Sequence, residues 1–445
     1  MGRLTFMHLA TLGALALGLL GPAPASAASA WLPATNLSKP GHSSEMPEIA
    51  MNAAGEAVAV WEHFNGKNWV VQSASRPPGG AWSTPTTISP PKGDFADEPQ
   101  IAINAAGEAV AVWEHYRHRS DHTAIETASR PSGGTWSVPT TISSSKGANA
   151  DPQIAIAASG EAVAVWDDFP FLEAASRSPA GAWSASTKFS KTQGGINFPE
   201  VAINPAGEAV AIWESYDSTG NNPIVKSAAR EPGGAWSTPV GLSKVRQEAT
   251  YPHIAVSGDG EAVVIWVSER LGTVQAVSRP AGGRWSAAQN LSRIPRRPGN
   301  LHATRAEDAQ IGLNEAGEAV AVWSWENFIH GVIQSASRSP GGEWSKPATV
   351  SAKSALGFEP RVAVDSAGGA VLIWVSFAPR HNFLEGASRQ PGGNWSKPTR
   401  LPVKGGIFIF PQLVGSSSGE AVAIWQGGRE EHRIIQGTAL PASAP

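Results

Sequence analysis

The sequence predicts an all-β protein: an eight-bladed β-propeller of four-stranded antiparallel blades, in which the N-terminal strand completes the last blade. Three observations support this prediction. A strand motif recurs eight times at intervals of roughly 50 residues, a hairpin motif recurs in step with it, and the first and last repeats are each incomplete. A period of this size is typical of solenoids and propellers. The strand motif, Gly-Glu-Ala-Val-Ala-Val-Trp in its first copy, ends at Trp61, Trp113, Trp166, Trp213, Trp266, Trp323, Trp374 and Trp425.

One repeat unit contains four short strands separated by turns. In the second unit, residues 101–103 form an apolar strand, and the turn that follows uses Gly107 for a positive φ. Residues 108–113 place small or apolar side chains on both faces of the next strand. A third strand at 124–130 and a fourth that begins at Trp136 complete the unit. Because such a sheet needs cover on both faces, we expect the sheets to stack around an axis as propeller blades.

The two ends of the repeat region complement each other. The last repeat ends before a fourth strand, whereas residues 31–38 resemble a fourth strand without a blade. If the two fragments pair, the ring has no free sheet edge. We therefore predict a signal peptide at 1–27, a single propeller at 31–440 and a tail at 441–445. The predicted blades are 47–89, 99–143, 152–190, 199–243, 252–292, 309–351, 360–401, and 411–440 plus 31–38.

Composition excludes several functional classes. The chain has no Cys, which excludes disulfides, thiolate metal sites and a cysteine nucleophile. Its net charge of -3 leaves no basic surface for nucleic acid. Arg3, a short apolar run and small residues before a cut after Ala27 or Ala30 fit a secretory signal. No second apolar stretch follows, so we expect a secreted, extracellular protein without membrane insertion, of a kind common in bacteria.

The hairpin motif resembles a known propeller element. Its first copy, residues 75–82, reads Ser-Arg-Pro-Pro-Gly-Gly-Ala-Trp, and its Ser, Gly and Trp positions resemble those of the Asp-box hairpin of sialidases and related propellers. The resemblance implies a related blade corner. It carries no catalytic residues, because the Asp box is structural in that family. The position of the signature Asp is held by Pro77, Pro131, Ser178, Glu231, Pro280, Ser339 and Gln390.

One Glu and one Arg recur in the repeats at fixed positions. If the Glu of one blade pairs with the Arg of the next, the two gaps, Gly369 and Leu440, fall on the same pair and seven pairs remain. We predict inter-blade ion pairs with separations within about 4 Å. The residues are Glu56, Glu108, Glu161, Glu208, Glu261, Glu318 and Glu420, and Arg76, Arg130, Arg177, Arg230, Arg279, Arg338 and Arg389.

Candidate binding residues concentrate on one face of the predicted ring. Loops between strands two and three and loops between blades emerge on that face, and loops on a rigid scaffold often carry binding residues. Acidic residues follow the strand Trp in blades 1 to 4 only, so half of the channel mouth on this face should be acidic. An acidic half could bind a cation or merely make the rim more soluble. The candidates are Glu62, His63, Glu114, His115, Tyr116, His118, Asp121, His122, Asp167, Glu214, Tyr216, His330, His381 and His432.

These features predict a binding module rather than an enzyme. The partner is carbohydrate or an extracellular protein, and aromatic residues of the same loops would stack on sugar rings. No cofactor is predicted: the histidines near residue 118 are metal-ligand types, but their spacing matches no metal motif. A sialidase-like glycoside hydrolase is the first alternative, with Tyr216 beside Glu214 and Asp217 as its best local arrangement, and a protein-interaction scaffold is the second. We expect a monomer.

Overall fold

The protein folds into eight four-stranded antiparallel sheets, which confirms the predicted eight-bladed propeller. The computed structural model describes residues 30–90, 95–117, 122–144, 147, 149–292, 305–327, 330–352, 356–378, 381–403, 408–429 and 432–442. The predicted signal peptide lies outside them. This part of the chain contains no helix long and apolar enough to cross a membrane.

The strands follow one another in the same order in every blade. The first half of the chain forms β1 (Thr35–Asn36), β2 (Ser44–Met51), β3 (Ala57–Phe64), β4 (Trp69–Arg76), β5 (Thr86–Thr87), β6 (Phe95–Ile103), β7 (Ala109–Arg117), β8 (His122–Arg130), β9 (Thr140–Thr141), β10 (Asn149–Ile156), β11 (Ala162–Asp168), β12 (Phe171–Arg177), β13 (Thr187–Lys191), β14 (Ile196–Ile203), β15 (Ala209–Ser215), β16 (Ile224–Arg230) and β17 (Val240–Gly241). The second half forms β18 (Ala249–Val256), β19 (Ala262–Ser268), β20 (Thr273–Arg279), β21 (Gln289–Asn290), β22 (Arg305–Leu313), β23 (Ala319–Asn327), β24 (His330–Arg338), β25 (Ala348–Thr349), β26 (Leu356–Val364), β27 (Ala370–Ala378), β28 (His381–Arg389), β29 (Thr399–Arg400), β30 (Ile409–Gly415), β31 (Ala421–Arg429) and β32 (His432–Leu440).

The N-terminal strand closes the ring. The last blade has the strand order β1-β32-β31-β30, with Thr35 opposite Gly437 and Asn36 opposite Gln436. The innermost strand of each blade contacts the innermost strands of its two neighbours, from β2 and β6 round to β30 and β2. The eight inner strands therefore surround a central channel.

The core lies between the blades. The Trp that ends each strand motif is completely buried, and Trp113 packs against Val60, Val71 and Ile88 of the preceding blade. Burying both faces of each second strand is what its apolar sequence requires. The turn that leads into these strands is also as predicted: Gly107 has a φ of 79°, and its N–H donates to Asn104 O at 2.9 Å.

Six of the seven predicted inter-blade ion pairs form. They lie on the face opposite the ends of the second strands, and four of the repeated guanidiniums, for example Arg130 over Trp136 at 5.8 Å, also lie over the Trp of their own hairpin. In the seventh, Arg389 donates to Ser337 Oγ at 3.2 Å and no bond to Glu318 is found among the described residues. The six pairs are Arg76–Glu420, Arg130–Glu56, Arg177–Glu108, Arg230–Glu161, Arg279–Glu208 and Arg338–Glu261.

Candidate binding site at the channel mouth

Every inner strand carries a β-bulge near its first residues. In β2, Glu45 pairs with Glu62 and Glu48 pairs with Val60, so the residues between them are left out of the ladder. At each bulge one non-glycine residue has a φ between 46° and 52°, a left-handed conformation that costs about 1–2 kcal/mol for an L-residue. These eight residues, which we call the bulge ring, are Met46, Glu98, Asp151, Phe198, Tyr251, Asp308, Glu359 and Phe410.

Carboxylates from the preceding blade hold three members of the bulge ring. Glu62 Oε1 accepts a hydrogen bond from the Glu98 N–H at 2.9 Å, and Glu114 Oε1 accepts one from the Asp151 N–H at 2.8 Å. Glu214 does the same for the Tyr251 N–H at 2.5 Å. Three of the predicted acidic candidates therefore point at the next blade, where they offset the cost of the left-handed backbone.

Three further members of the ring are held by other acceptors. The Met46 N–H donates to Gln426 Oε1 at 3.3 Å. In blades 6 and 7 the bulge residue itself supplies the acceptor for the next blade: Asp308 accepts from the Glu359 N–H at 3.2 Å, and Glu359 accepts from the Phe410 N–H at 2.9 Å. Acidic groups are therefore not confined to blades 1 to 4, contrary to the prediction from the strand ends.

The bulge ring presents large apolar side chains to solvent. Phe198 and Tyr251 are 45% and 48% exposed, and Met46 and Phe410 are 39% and 38% exposed. The Phe198 and Tyr251 rings lie 4.8 Å apart at 51°. Exposed apolar surface of this kind on the innermost strands is typical of a binding site rather than of a solvated rim.

A second circle of side chains lies two residues further along each inner strand. We call it the polar belt, because all eight members are polar and partly buried: Glu48, Gln100, Gln153, Glu200, His253, Gln310, Arg361 and Gln412. Hydrogen bonds join members from neighbouring blades, among them Gln412 Nε2 to Glu48 Oε1 at 2.8 Å and His253 Nδ1 to Glu200 Oε1 at 2.5 Å. The belt gives the channel a polar floor below the mouth.

Burial raises the pKa of several carboxyls at the mouth. It raises the pKa of Glu62 and of Asp167 to about 7, and the negative charges of Asp151 and Asp168 add to the shift of Asp167. Burial, with the neighbouring charge of Glu98, raises the pKa of Glu114 to about 9. The mouth therefore holds part of its acidity in protonated form at neutral pH.

Three of these acids lie together. Ligand oxygens of Glu98, Glu114 and Asp151 are all within 4.8 Å of one another. Carboxylate oxygens are the ligands that calcium and magnesium prefer, so among the described residues this cluster has the ligand types for a divalent cation. The hydrogen bond that Glu114 accepts from the next blade already uses one of its oxygens.

Tyr216 and Glu214 are brought together as the sequence suggested. The Tyr216 hydroxyl donates to Glu214 Oε2 at 2.6 Å, and Glu214 is completely buried. Burial and this carboxylate raise the pKa of Tyr216, which keeps the phenol protonated. Asp217 points into its own turn instead, where it accepts hydrogen bonds from Thr219 and Asn222.

Two of the predicted histidines are buried rather than exposed to a ligand. His63 is buried against Ser44 Oγ at 2.9 Å, and burial lowers its pKa. His115 is buried with its Nδ1 2.6 Å from Glu126 Oε1. Tyr116 is partly buried, whereas His122 and His432 are exposed at the starts of β8 and β32. His118 and Asp121, and the side chains of His330 and His381, lie outside the described residues.

The sequence analysis missed the bulge ring, although a signal for it is present. A Pro follows the bulge residue in seven of the eight blades, as in Met46-Pro47 and Tyr251-Pro252. Pro inside a strand is confined to edges and bulges, because it cannot donate to the ladder. Only Asp308, followed by Ala309, lacks it.

Two open cavities lie at the outer rim, away from the mouth. They have volumes of about 460 and 410 Å³ and occupy equivalent places, between the outer strand of one blade and the Trp hairpin of the next. Trp136 lines one and Trp285 the other. Both Trp rings already lie against an Arg of their own blade, so we assign these grooves to blade packing and the candidate site to the mouth.

No protein-family model matches this chain, and no curated protein sequence matches it. Its fold is similar to that of polysaccharide lyase Uly1, with 11% identity, a TM-score of 0.49 and coverage of 80% of this chain and 91% of that chain. It is also similar to the α-L-arabinofuranosidase Arb93A of Fusarium graminearum (10% identity, TM-score 0.38, coverage 66% and 93%) and to an intramolecular trans-sialidase from Ruminococcus gnavus (10%, 0.40, 90% and 96%). At these identities the similarity concerns the fold alone.

The raised pKa values predict that the fold weakens as the pH rises. A carboxyl with a raised pKa in the folded state stabilises the fold fully below its unfolded pKa and loses that contribution as the pH passes the folded value. Between about pH 6.5 and 8.5, Glu62 and Asp167 together should lower the free energy of unfolding by about 2 kcal/mol. Urea unfolding across this range measures the effect.

The matched control is the Glu62→Gln/Asp167→Asn variant. A neutral amide can still accept the backbone hydrogen bond, as Gln426 does in the last blade. We expect this variant to be less dependent on pH and more stable than the parent protein at about pH 8.5. If the free energy of unfolding of the two proteins depended equally on pH, the pH dependence could not be assigned to Glu62 and Asp167.

Proposed function

We propose that the protein is a secreted carbohydrate-binding propeller that takes a neutral sugar at the channel mouth. The observation that carries the proposal is the bulge ring, in which pairs of exposed apolar side chains, three of the four aromatic, alternate with pairs of acidic residues on a strained backbone. The apolar face of a sugar ring stacks on an aromatic ring, and its hydroxyls bond to carboxylate and amide groups. Glycine would relieve the strain at all eight positions, so the side chains present there support a role in binding.

The charge at the mouth favours a neutral ligand. Among the sixteen residues of the bulge ring and the polar belt, only Arg361 carries a fixed positive charge, and it bonds to Gln412 and to the Pro360 carbonyl. Six members of these two circles are Asp or Glu. An anionic sugar would therefore find only one fixed positive charge there to bind it. This argues against an acidic sugar as the ligand.

The test is glycan-array binding by residues 28–445, with and without EDTA. We expect neutral glycans to bind, and Phe198→Ala/Tyr251→Ala to weaken binding about tenfold or more, as loss of buried aromatic anchors does. Val138→Ala is the matched control, because Val138 is exposed on the rim hairpin far from the mouth. Binding that the double variant leaves intact would refute the proposed site, and loss with EDTA would assign a cation to the acidic cluster.

Glycoside hydrolysis is the second candidate. Glu114, with a pKa raised to about 9, is protonated at neutral pH as a general acid must be, and Glu98 and Asp151 lie beside it. We rank binding above hydrolysis because Glu114 already bonds to the next blade. If the protein released reducing sugar from a glycan that it binds on the array, and Glu114→Gln abolished this release, hydrolysis would rank above binding.

Two further parts of the proposal concern the protein in solution. Export is supported by the signal-like residues 1–27, and a monomer by a sheet ring without a free edge. Recovery of the processed chain from culture medium and light scattering of the purified protein test these points. A protein-interaction surface remains the third function, and it would be favoured by a partner that binds whether or not Phe198 and Tyr251 are present.

A further inference from the structure

The bulge ring has a two-fold pattern that the eight-fold repeat does not require. Passing round the ring from blade 8, its members are an apolar pair, an acidic pair, an aromatic pair and a second acidic pair. The apolar pair is Phe410 and Met46 in blades 8 and 1, and the aromatic pair is Phe198 and Tyr251 in blades 4 and 5. Two blades lie between the pairs on either side, and each member of one pair is four blades away from a member of the other, so the pairs face each other across the mouth.

The two acidic pairs occupy the sides between these platforms. Glu98 and Asp151 lie on one side, and Asp308 and Glu359 lie on the other. Oxygens of Glu98 and Asp151 lie together within 4.8 Å, Asp308 and Glu359 each accept a hydrogen bond from the N–H of the next bulge residue, and the polar belt follows two residues further along each strand. A track with apolar surface at both ends, hydrogen-bonding groups along both sides and a polar floor thus crosses the mouth.

We infer that the ligand is an extended, neutral oligosaccharide that lies across the mouth and stacks on both apolar pairs at once. This inference rests on the proposed function and adds the length and orientation of the ligand. A sugar unit near one end would contact Phe198 and Tyr251, a unit near the other end would contact Met46 and Phe410, and hydroxyls between them would bond to the acidic pairs. Because one chain links both contacts, the second contact forms at a high effective concentration.

Calorimetric titration with two oligomer series tests the inference. The probes are cello-oligosaccharides and N-acetylchito-oligosaccharides from the disaccharide to the octasaccharide. We expect affinity to rise with length until the chain reaches both platforms, and then to level off. Met46→Ala/Phe410→Ala should weaken binding of the longest oligomer by about tenfold and leave the disaccharide unaffected. Phe198→Ala/Tyr251→Ala should weaken binding at every length.

The outcomes separate this inference from the proposed function. Affinity that is already maximal at the disaccharide, or long oligomers that bind the Met46→Ala/Phe410→Ala variant normally, would overturn the spanning ligand and leave sugar binding in place. Failure of every oligomer, together with an array without neutral hits, would overturn both. Unchanged melting temperatures of the two variants serve as the folding control, since both replace exposed side chains.

Discussion

Deletion of residues 30–38 is expected to lower the free energy of unfolding by about 4 kcal/mol or more, which would make it one of the most destabilising changes in the chain. Leu37 and Ser38 are buried in the last blade. The Leu37 N–H donates to Ile435 O at 2.8 Å, and Ser38 Oγ accepts from the Ile435 N–H at 2.9 Å. The deletion removes a buried Leu and several hydrogen bonds, and it exposes β32 as a free edge.

Thermal unfolding followed by circular dichroism, with size-exclusion chromatography, measures this effect. We expect a lower melting temperature and concentration-dependent association, because an unpaired strand is a template for pairing with another chain. Deletion of the predicted tail, 441–445, is the matched control and should change neither property. If the protein without residues 30–38 had the same melting temperature as the parent protein, closure of the ring by the N-terminal strand would contribute little to stability.

Replacement of Arg279 by Met is expected to cost about 3–5 kcal/mol. Arg279 and Glu208 form the most enclosed of the six inter-blade pairs, with side chains 8% and 7% exposed. The variant leaves the Glu208 carboxylate buried without its cation, and the cost of an unpaired buried charge exceeds the net value of the pair. The double variant Arg279→Met/Glu208→Leu should therefore recover most of the loss.

Chemical denaturation of the parent and both variants completes this test. Arg305→Met is the matched control, because Arg305 is 59% exposed and its pairs with Glu269 and Glu307 lie at the surface. Exposed pairs contribute about 0.2–1 kcal/mol, so the control should lose no more than that. A double variant as unstable as Arg279→Met would mean that packing around the guanidinium, including Trp285, matters more than charge.

The blade architecture could be predicted because the sequence pattern of each strand and turn recurs several times along the chain. Alternation over residues 108–113 indicates a strand covered on both faces, Gly107 marks the turn before it, and the incomplete ends indicate closure. The ion pairs followed from the same periodicity. The pair expected between Arg389 and Glu318 is the exception. Arg389 bonds to Ser337 instead, and Glu318 lies against the backbone of Gly368. Gly368 belongs to the unit in which Gly369 replaces the repeated Glu.

The site was only partly predictable, because the position of a side chain along its strand does not specify its partner in another blade. That Glu62, Glu114 and Glu214 lie at the mouth follows from their position after the strand Trp, but the atom each one meets belongs to another blade, 36 or 37 residues away in the chain. The sequence therefore indicated a solvated acidic rim, whereas the packed blades turn these carboxylates onto backbone N–H groups.

The sequence by itself determined the strands, their repeat, the sheet order and the closed ring, because these depend on local periodicity and turn chemistry that recur in every unit. Only the tertiary structure decided which side chains share the mouth. The bulge takes two residues per blade out of the ladder and gives the first a left-handed backbone, and closure of the ring brings eight such residues from distant parts of the chain into one circle. The opposition of Phe198 and Tyr251 to Met46 and Phe410 exists only after closure, because no local interaction relates residues that lie four blades apart.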